Sequence, residues 1–238
     1  MPVDILLTVV ATAVIQSIFG VGVLLFGTPI LLLLGYDFIN ALSVLLPISI
    51  AINCLQIIKH YQFIDSTFYK NVLIYSIPLV VLFLFFVSTT QINIGLIVGG
   101  FLVLVALKSF FPKIEAVLEN MVKYERTYLA VMGLVHGLTN LGGSLLTAIV
   151  HGKQYEKNTT RVTVAVCYAT FAVFQLLTLF FIGSHFALSY ADHISFLQVG
   201  ILVFLFTEEL FYTSIDNKKY SQFFAIFLLI SGILLIFK

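Results

Sequence analysis

The side chains that could do chemistry in this chain are few, and they are glycines, hydroxyls and amides rather than paired acids and bases. They gather in two places. The first runs Gly20-Val21-Gly22-Val23-Leu24-Leu25-Phe26-Gly27-Thr28-Pro29; the second runs Thr139-Asn140-Leu141-Gly142-Gly143-Ser144, with Asn140 falling 120 residues after Gly20. Glycine lets the backbone turn sharply and approach a ligand closely. A helix that starts beyond such a turn presents unpaired N–H groups and the positive end of its dipole to an anion. Thr28-Pro29 reads as an N-cap followed by a proline at the first helical position, and Ser144 reads as a second N-cap behind Gly142 and Gly143. Gly20, Gly22, Thr28, Pro29, Thr139, Asn140, Gly142, Gly143 and Ser144 are therefore candidates to hold a small oxyanion through backbone amides and hydroxyls, without a costly buried cation. The competing reading is that the small residues only let helices pack closely in lipid.

The other polar residues inside apolar stretches are Gln16, Asn53, Gln56, His136 and Gln175. Amides in such places often tie helices together, and Asn53 joins the candidates on that footing. His136 is the one ionisable side chain well inside a hydrophobic segment. It reads either as a neutral, hydrogen-bonded histidine or as the group that couples transport to protons, since no buried Asp or Glu is available for that work. Arg161 stands at the mouth of an apolar segment, where it could hold the anion or extend to the interface. Glu208 and Glu209 read as solvated charges, and Cys54 and Cys167 as small core residues with no metal-ligand spacing around them. An intramembrane hydrolase would need Ser144 beside His136 or His151. His136 and Ser144 lie eight residues apart across an expected break, and no Gly-x-Ser-Gly elbow is present. The chain is therefore expected to be no enzyme and to need no cofactor, with protons or another ion as the coupling partner.

The elements that must position these residues are set by composition. Of 238 residues, 61% are hydrophobic and 10% are Asp, Glu, Lys or Arg, with a mean hydropathy of +1.11. That is outside the range of a soluble domain and implies a lipid bilayer as solvent. A net charge of +1 offers no basic face for nucleic acid. The apolar segments are Ile5 to Leu34, Phe38 to Ile58, Asn71 to Val87, Ile92 to Phe110, Thr127 to Val150, Val162 to Ile182, Ser189 to Phe206 and Tyr220 to Phe237. All should be helical, because a period-2 alternation is missing. The first is expected to be retained rather than cleaved, since no basic region precedes it. The fold class is thus an all-α polytopic membrane protein with two four-segment halves: a membrane repeat at 1–111, a charged linker at 112–126 and a second membrane repeat at 127–238.

If all eight segments cross, Lys and Arg divide seven to five between the two sides, a poor positive-inside pattern. If the fifth segment dips in and returns, eleven of the twelve fall together and only Lys238 lies opposite. The first segment offers about 15 residues per arm, or about 22 Å at 1.5 Å per residue, too short for two crossings of a roughly 30 Å core. Each half is therefore expected to hold one re-entrant hairpin and three spans, and the odd span count makes the repeats inverted, with eight plain spans as the alternative. The protein should lie in the plasma membrane with both termini extracytoplasmic, and no feature sets an oligomeric state.

These residues also carry a resemblance. Gly20-Val21-Gly22 to Thr28-Pro29, and Thr139-Asn140-Leu141-Gly142-Gly143-Ser144, look like the paired glycine-rich motifs of the TauE/SafE family of sulfite exporters and sulfonate permeases, and the segment order agrees over nearly the whole chain. The chain departs from the fuller glycine cluster at Val23 and Leu24 and has Ile149 where the pattern carries a proline. The resemblance implies a secondary transporter moving sulfite, a sulfonate or a related sulfur-containing anion by alternating access. A passive anion channel is the neighbouring alternative.

Overall fold

The computed structural model describes residues 1–90, 92–108, 123–184, 186–211 and 217–238, without the side chains of 209–225. Among these residues the regular structure is helical throughout. Helix α1 (Val3–Phe19) stops at Gly20, whose φ of 76° is a conformation that glycine adopts without strain, and α2 (Val23–Leu33) resumes after Gly22. Asp37 opens α3 (Phe38–His60) by accepting the Asn40 N–H, and Asp65 opens α4 (Ser66–Tyr75) by accepting those of Thr67 and Phe68. Helix α5 (Ile77–Thr89) follows a break at Ser76, where Pro78 sits in its first turn. Then come α6 (Ile94–Lys108), α7 (Glu125–Thr139), α8 (Gly143–Gly152), α9 (Lys157–Phe181), α10 (Tyr190–Phe211) and α11 (Asn217–Ile236).

Four stretches are long and apolar enough to cross a bilayer: Phe38–Phe63, Ser66–Thr89, Lys157–Phe181 and Tyr190–Glu208. The outward surface carries Leu82, Phe85, Phe86, Leu104, Phe180, Phe181 and Phe206, all exposed, as a lipid-facing surface requires. The chain is a multi-pass membrane protein.

Polar contacts sort the helix ends into two groups. At one end the Tyr36 hydroxyl donates to Asp4 at 2.8 Å, and the amino terminus pairs with Asp192 at 3.2 Å. There too the Ala187 N–H donates to Asn40 at 2.9 Å, and the Lys238 ammonium donates to the carbonyls of Leu32 and Leu33. At the other end Glu125 accepts from Lys153 and Asn71, each at 2.7 Å, and Asp65 accepts from the Tyr155 hydroxyl. The start of α1 and the end of α2 therefore share one end. The start of α7 and the end of α8 share the opposite end. At about 1.5 Å per residue, the 17-residue α1 reaches about 25 Å inward while the 11-residue α2 returns about 16 Å.

The Asp65 loop is held by charge as well. Burial alone would raise its carboxyl pKa, but the Tyr155 hydroxyl, the N–H groups of Phe68 and Thr67 and nearby Lys153 outweigh burial and hold it below the ordinary value. A depressed carboxyl stabilises the fold above its unfolded pKa of about 4, and that support is lost as pH falls through the lowered value.

The packing has a recurring pattern. Helix α1 lies on α10 as α7 lies on α5; α3 lies on α10 as α9 lies on α5; and α3 pairs with α9, α6 with α11. Small residues set the closest approaches. A β-carbon on Gly99 would lie 2.7 Å from the Gly232 carbonyl oxygen, and one on Gly232 would lie 2.8 Å from that of Gly99. Gly133 and Gly137, one turn apart on α7, touch the backbone of Ser76 and Val80 in the same way.

Several expected boundaries shift for local reasons. The third segment begins at Ser66 rather than Asn71, because Asp65 caps it, and it is split at Ser76. The sixth begins at Lys157 and the eighth at Asn217. Most of the 112–126 linker lies outside the described residues. Cys167 is buried as expected, but Cys54 is exposed, on the outer side of α3.

The glycine contacts give a paired test. Gly99→Ala should lower the melting temperature of the detergent-purified protein, because overpacking costs about 1–3 kcal/mol. Gly100→Ala, whose added β-carbon would meet nothing within 4 Å, should leave it unchanged. Equal melting of the two variants would contradict the close α6–α11 contact.

Candidate anion-binding site

Both expected helix breaks exist, and they are built alike. At the first, Gly20 adopts a left-handed conformation and donates its N–H to the Gln16 carbonyl; at the second, Asn140 does the same with φ 60° toward His136. A β-carbon on Gly22 would strike the Gln16 backbone nitrogen at 2.6 Å and the Thr12 carbonyl at 2.8 Å. One on Gly142 would strike the His136 β-carbon at 2.5 Å and the Met132 carbonyl at 2.8 Å. The same offset of 120 residues relates every one of these partners, so each second glycine is required where the chain folds back on its own preceding helix.

The breaks differ in how their polar groups are met. At the first, Gln16 Oε1 accepts the Val23 N–H at 2.9 Å and Gln16 Nε2 donates to Asn53 Oδ1 at 3.1 Å. Asn53 Nδ2 then donates to the carbonyl and hydroxyl of Ser49 at 2.8 and 3.1 Å. This network is closed, and it places Asn53 as the support of Gln16.

At the second break, His136 stands where Gln16 stands in the first. It is fully buried, its ring packs on Phe171 with centroids 4.6 Å apart and meets Tyr168 edge-on, and its Nε2–H donates to Gln175 Oε1 at 3.2 Å. Asn140 Nδ2 donates to the Thr28 hydroxyl at 2.8 Å, the bond that joins the two broken segments. The Thr139 hydroxyl accepts the Leu141 N–H at 3.1 Å. Among the described residues, His136 Nδ1, Gln175 Nε2 and Asn140 Oδ1 are buried without a hydrogen-bond partner. An unmet buried polar atom costs about 1–3 kcal/mol, so three within two neighbouring turns call for an explanation. Tyr168 closes the cluster over the start of α8: a β-carbon on Gly143 would fall 1.4 Å from its hydroxyl oxygen.

Not every expected role survives. Thr28 and Pro29 lie inside α2, which is opened by Gly22 and by the Gln16 side chain, so they form no N-cap there. Thr28 instead turns its buried hydroxyl to Asn140. Ser144 is no N-cap either: α8 begins at Gly143, and the Ser144 hydroxyl donates back to the Leu141 carbonyl at 3.0 Å. That bond, with the one between His136 and Gln175, leaves Ser144 and His136 bonded elsewhere rather than to each other. Arg161 does not reach to the interface; its side chain is 8% exposed and donates to Glu208 at 2.8 Å, with its Cγ 3.5 Å from where a Gly20 side chain would start. Glu208 is accordingly not a solvated charge but is buried between Arg161 and Lys59. Glu209's side chain lies outside the described residues.

Sequence reasoning passed over Tyr168. A signal was present: Arg161, Tyr168 and Gln175 recur every seven residues and so share one face of α9.

The profile of the family described as Sulfite exporter TauE/SafE fits residues 5–235. No curated protein and no solved structure matched.

The backbone at Asn140 gives a further test. Asn140→Ala loses the bond to Thr28 and also the polar side chain that lets asparagine tolerate the left-handed region, leaving a β-carbon there at a strain of about 1–2 kcal/mol, whereas Asn140→Gly loses the bond but carries no β-carbon. Thermal unfolding should therefore rank wild type above Asn140→Gly and Asn140→Gly above Asn140→Ala; the reverse order for the two variants would contradict the geometry of the break.

Proposed function

We propose, on the premise that this chain belongs to the sulfite exporter TauE/SafE family of membrane transporters, that it is a secondary transporter carrying a small sulfur-containing oxyanion past the second helix break. The observation that carries this is the set of unmet buried atoms on His136, Gln175 and Asn140 at the start of α8. The site offers amide donors on Gln175, the positive end of the α8 dipole, and lone pairs on His136 Nδ1 and Asn140 Oδ1. No ionised group sits in this cluster, so a monoanion is favoured over a dianion, whose desolvation costs far more. The two unmet acceptors favour a proton that travels with the anion, carried either on an anion oxygen or on His136 Nδ1. Sulfite in its singly protonated form fits this description, and a sulfonate does so with the proton on His136.

Alternating access is supported by the arrangement of the breaks. Two hairpins whose ends meet at opposite ends of the molecule, equivalent contacts at Gly22 and Gly142, and helix pairings that interchange the halves all favour inverted repeats at 1–111 and 127–238 with three spans each. The end bearing Lys59, Lys70, Arg126, Lys153 and Lys157 is cytoplasmic by charge, which puts Lys238 and both termini outside, at the plasma membrane. In this reading Gly20, Gly22 and Asn53 shape the closed break, and Gly142, Gly143, Asn140, Thr139, Thr28, His136, Gln175 and Tyr168 form the open one.

Proteoliposomes should show saturable uptake of radiolabelled sulfite that an imposed pH gradient accelerates. His136→Gln should fold normally and retain at most a few per cent of the gradient-driven component. Gradient-driven uptake unchanged in His136→Gln would remove the proton from this site, and ohmic conductance in place of saturable uptake would make the protein a channel.

A further inference from the structure

Among the described residues, the ion pair that buries both partners joins Arg161 to Glu208, an exposed Lys59 adds a second contact to the same carboxylate, and nothing in the reading above uses them. Glu208 Oε1 accepts from Arg161 Nη2 at 2.8 Å and Glu208 Oε2 from Lys59 Nζ at 2.6 Å. Three helices are tied by these contacts, the end of α3, the start of α9 and the last turns of α10. The carboxylate itself is 8% exposed. The position is specific in two ways. Arg161 lies against Gly20, the turn of the first break. It also begins the seven-residue stripe on α9 that continues through Tyr168 to Gln175, so one helix face leads from this ion pair to the site at His136. On α3, which packs against α9, Gln56 lies three residues before Lys59, fully buried, with neither amide atom hydrogen-bonded. Asn53 and Ser49 follow at the same helical spacing. Helix α3 thus carries polar side chains from the ion pair to the centre, where Asn53 meets Gln16 of α1.

A guanidinium buried on a carboxylate is a site already suited to an oxyanion, because carboxylate, sulfonate and sulfite each present two acceptor oxygens on one central atom. We propose that Arg161 and Lys59 form a second anion site at the cytoplasmic end of the pathway, that Glu208 occupies it as a tethered anion in the closed state, and that the transported oxyanion displaces Glu208 as this end opens. Pulling Glu208 away without a replacement would leave buried charge uncompensated, which is strongly unfavourable. An incoming anion supplies the replacement. Opening is then conditional on the anion, which is what separates a carrier from a leak.

The inference rests on the transport reading, and the experiment separates the two. Uptake of radiolabelled sulfite is measured in proteoliposomes holding the full chain as wild type and as Glu208→Gln. Removing the tethered competitor should lower the half-saturating sulfite concentration at least about fivefold, about 1 kcal/mol in binding. The double variant Glu208→Gln, Arg161→Met should lose that gain. In a second arm, Lys59→Cys with Glu208→Cys is introduced after replacing Cys54 and Cys167; bridging the two thiols with a bifunctional methanethiosulfonate reagent should stop flux, and reduction should restore it. Saturable wild-type uptake with an unchanged or raised half-saturation in Glu208→Gln would overturn the second site, as would flux that persists through the cross-link. No saturable uptake by wild type would overturn the transport reading itself. Should Glu208→Gln fail to fold, the cross-link arm decides alone.

Discussion

Hydrocarbon offers no hydrogen bonds, so a helix that stops inside a bilayer must have its last carbonyls and first N–H groups met by the protein itself. Everything distinctive about this molecule follows from having two such stops. The first is met from within: the glutamine one turn before the break turns its carbonyl oxygen onto the Val23 N–H across the gap, and Asn53 and Ser49 hold that glutamine in place. The second has a histidine at the equivalent position, which points to Gln175 instead. That one exchange of side chain is the difference between a break that is structurally complete and one that retains unmet polar atoms.

A transporter of inverted design does not need two binding sites, and the asymmetry fits that economy. One hairpin can serve as a fixed wedge while the other carries the ligand groups, with Asn140 and Thr28 as the bond between them. Rigidity around the open break comes from close backbone contact. Gly133 and Gly137 press α7 against the kink at Ser76, whose hydroxyl donates to the Leu129 carbonyl at 2.8 Å, and the Tyr128 hydroxyl clamps the Leu145 carbonyl of α8 at 2.8 Å. The unmet atoms are therefore held by a closely packed scaffold, and in the proposed transport reading a ligand would supply their missing partners.

The breaks themselves were legible because glycine pairs inside apolar runs have few other uses; the return of the second hairpin was legible from where Lys and Arg fall, and that of the first from the shortness of its arms. Lys153 reaching Glu125 is the structural counterpart of that charge census. What could not be read was which polar group meets which. Thr28-Pro29 has the local signature of a helix start, yet α2 begins five residues earlier, because a side chain remote in sequence supplies the cap and a bilayer helix tolerates an internal proline when its neighbours absorb the missing N–H. Glu208 looked solvated because its position at a helix end says nothing about the Arg161 and Lys59 side chains that bury it. Periodicity assigns a residue to a face; it does not name the neighbour. Tyr168 was visible as part of a seven-residue stripe, but its place over Gly143 depends on how α8 and α9 meet.

The claim on which the account stands is that the two broken segments enter from opposite sides of the membrane. Single cysteines at the exposed positions Leu34 and Glu156, in a chain with Cys54 and Cys167 replaced, can be probed with a membrane-impermeant thiol reagent on intact and then permeabilised cells. The account predicts that Leu34→Cys reacts in intact cells and Glu156→Cys only after permeabilisation; reaction of both from the same side would contradict it.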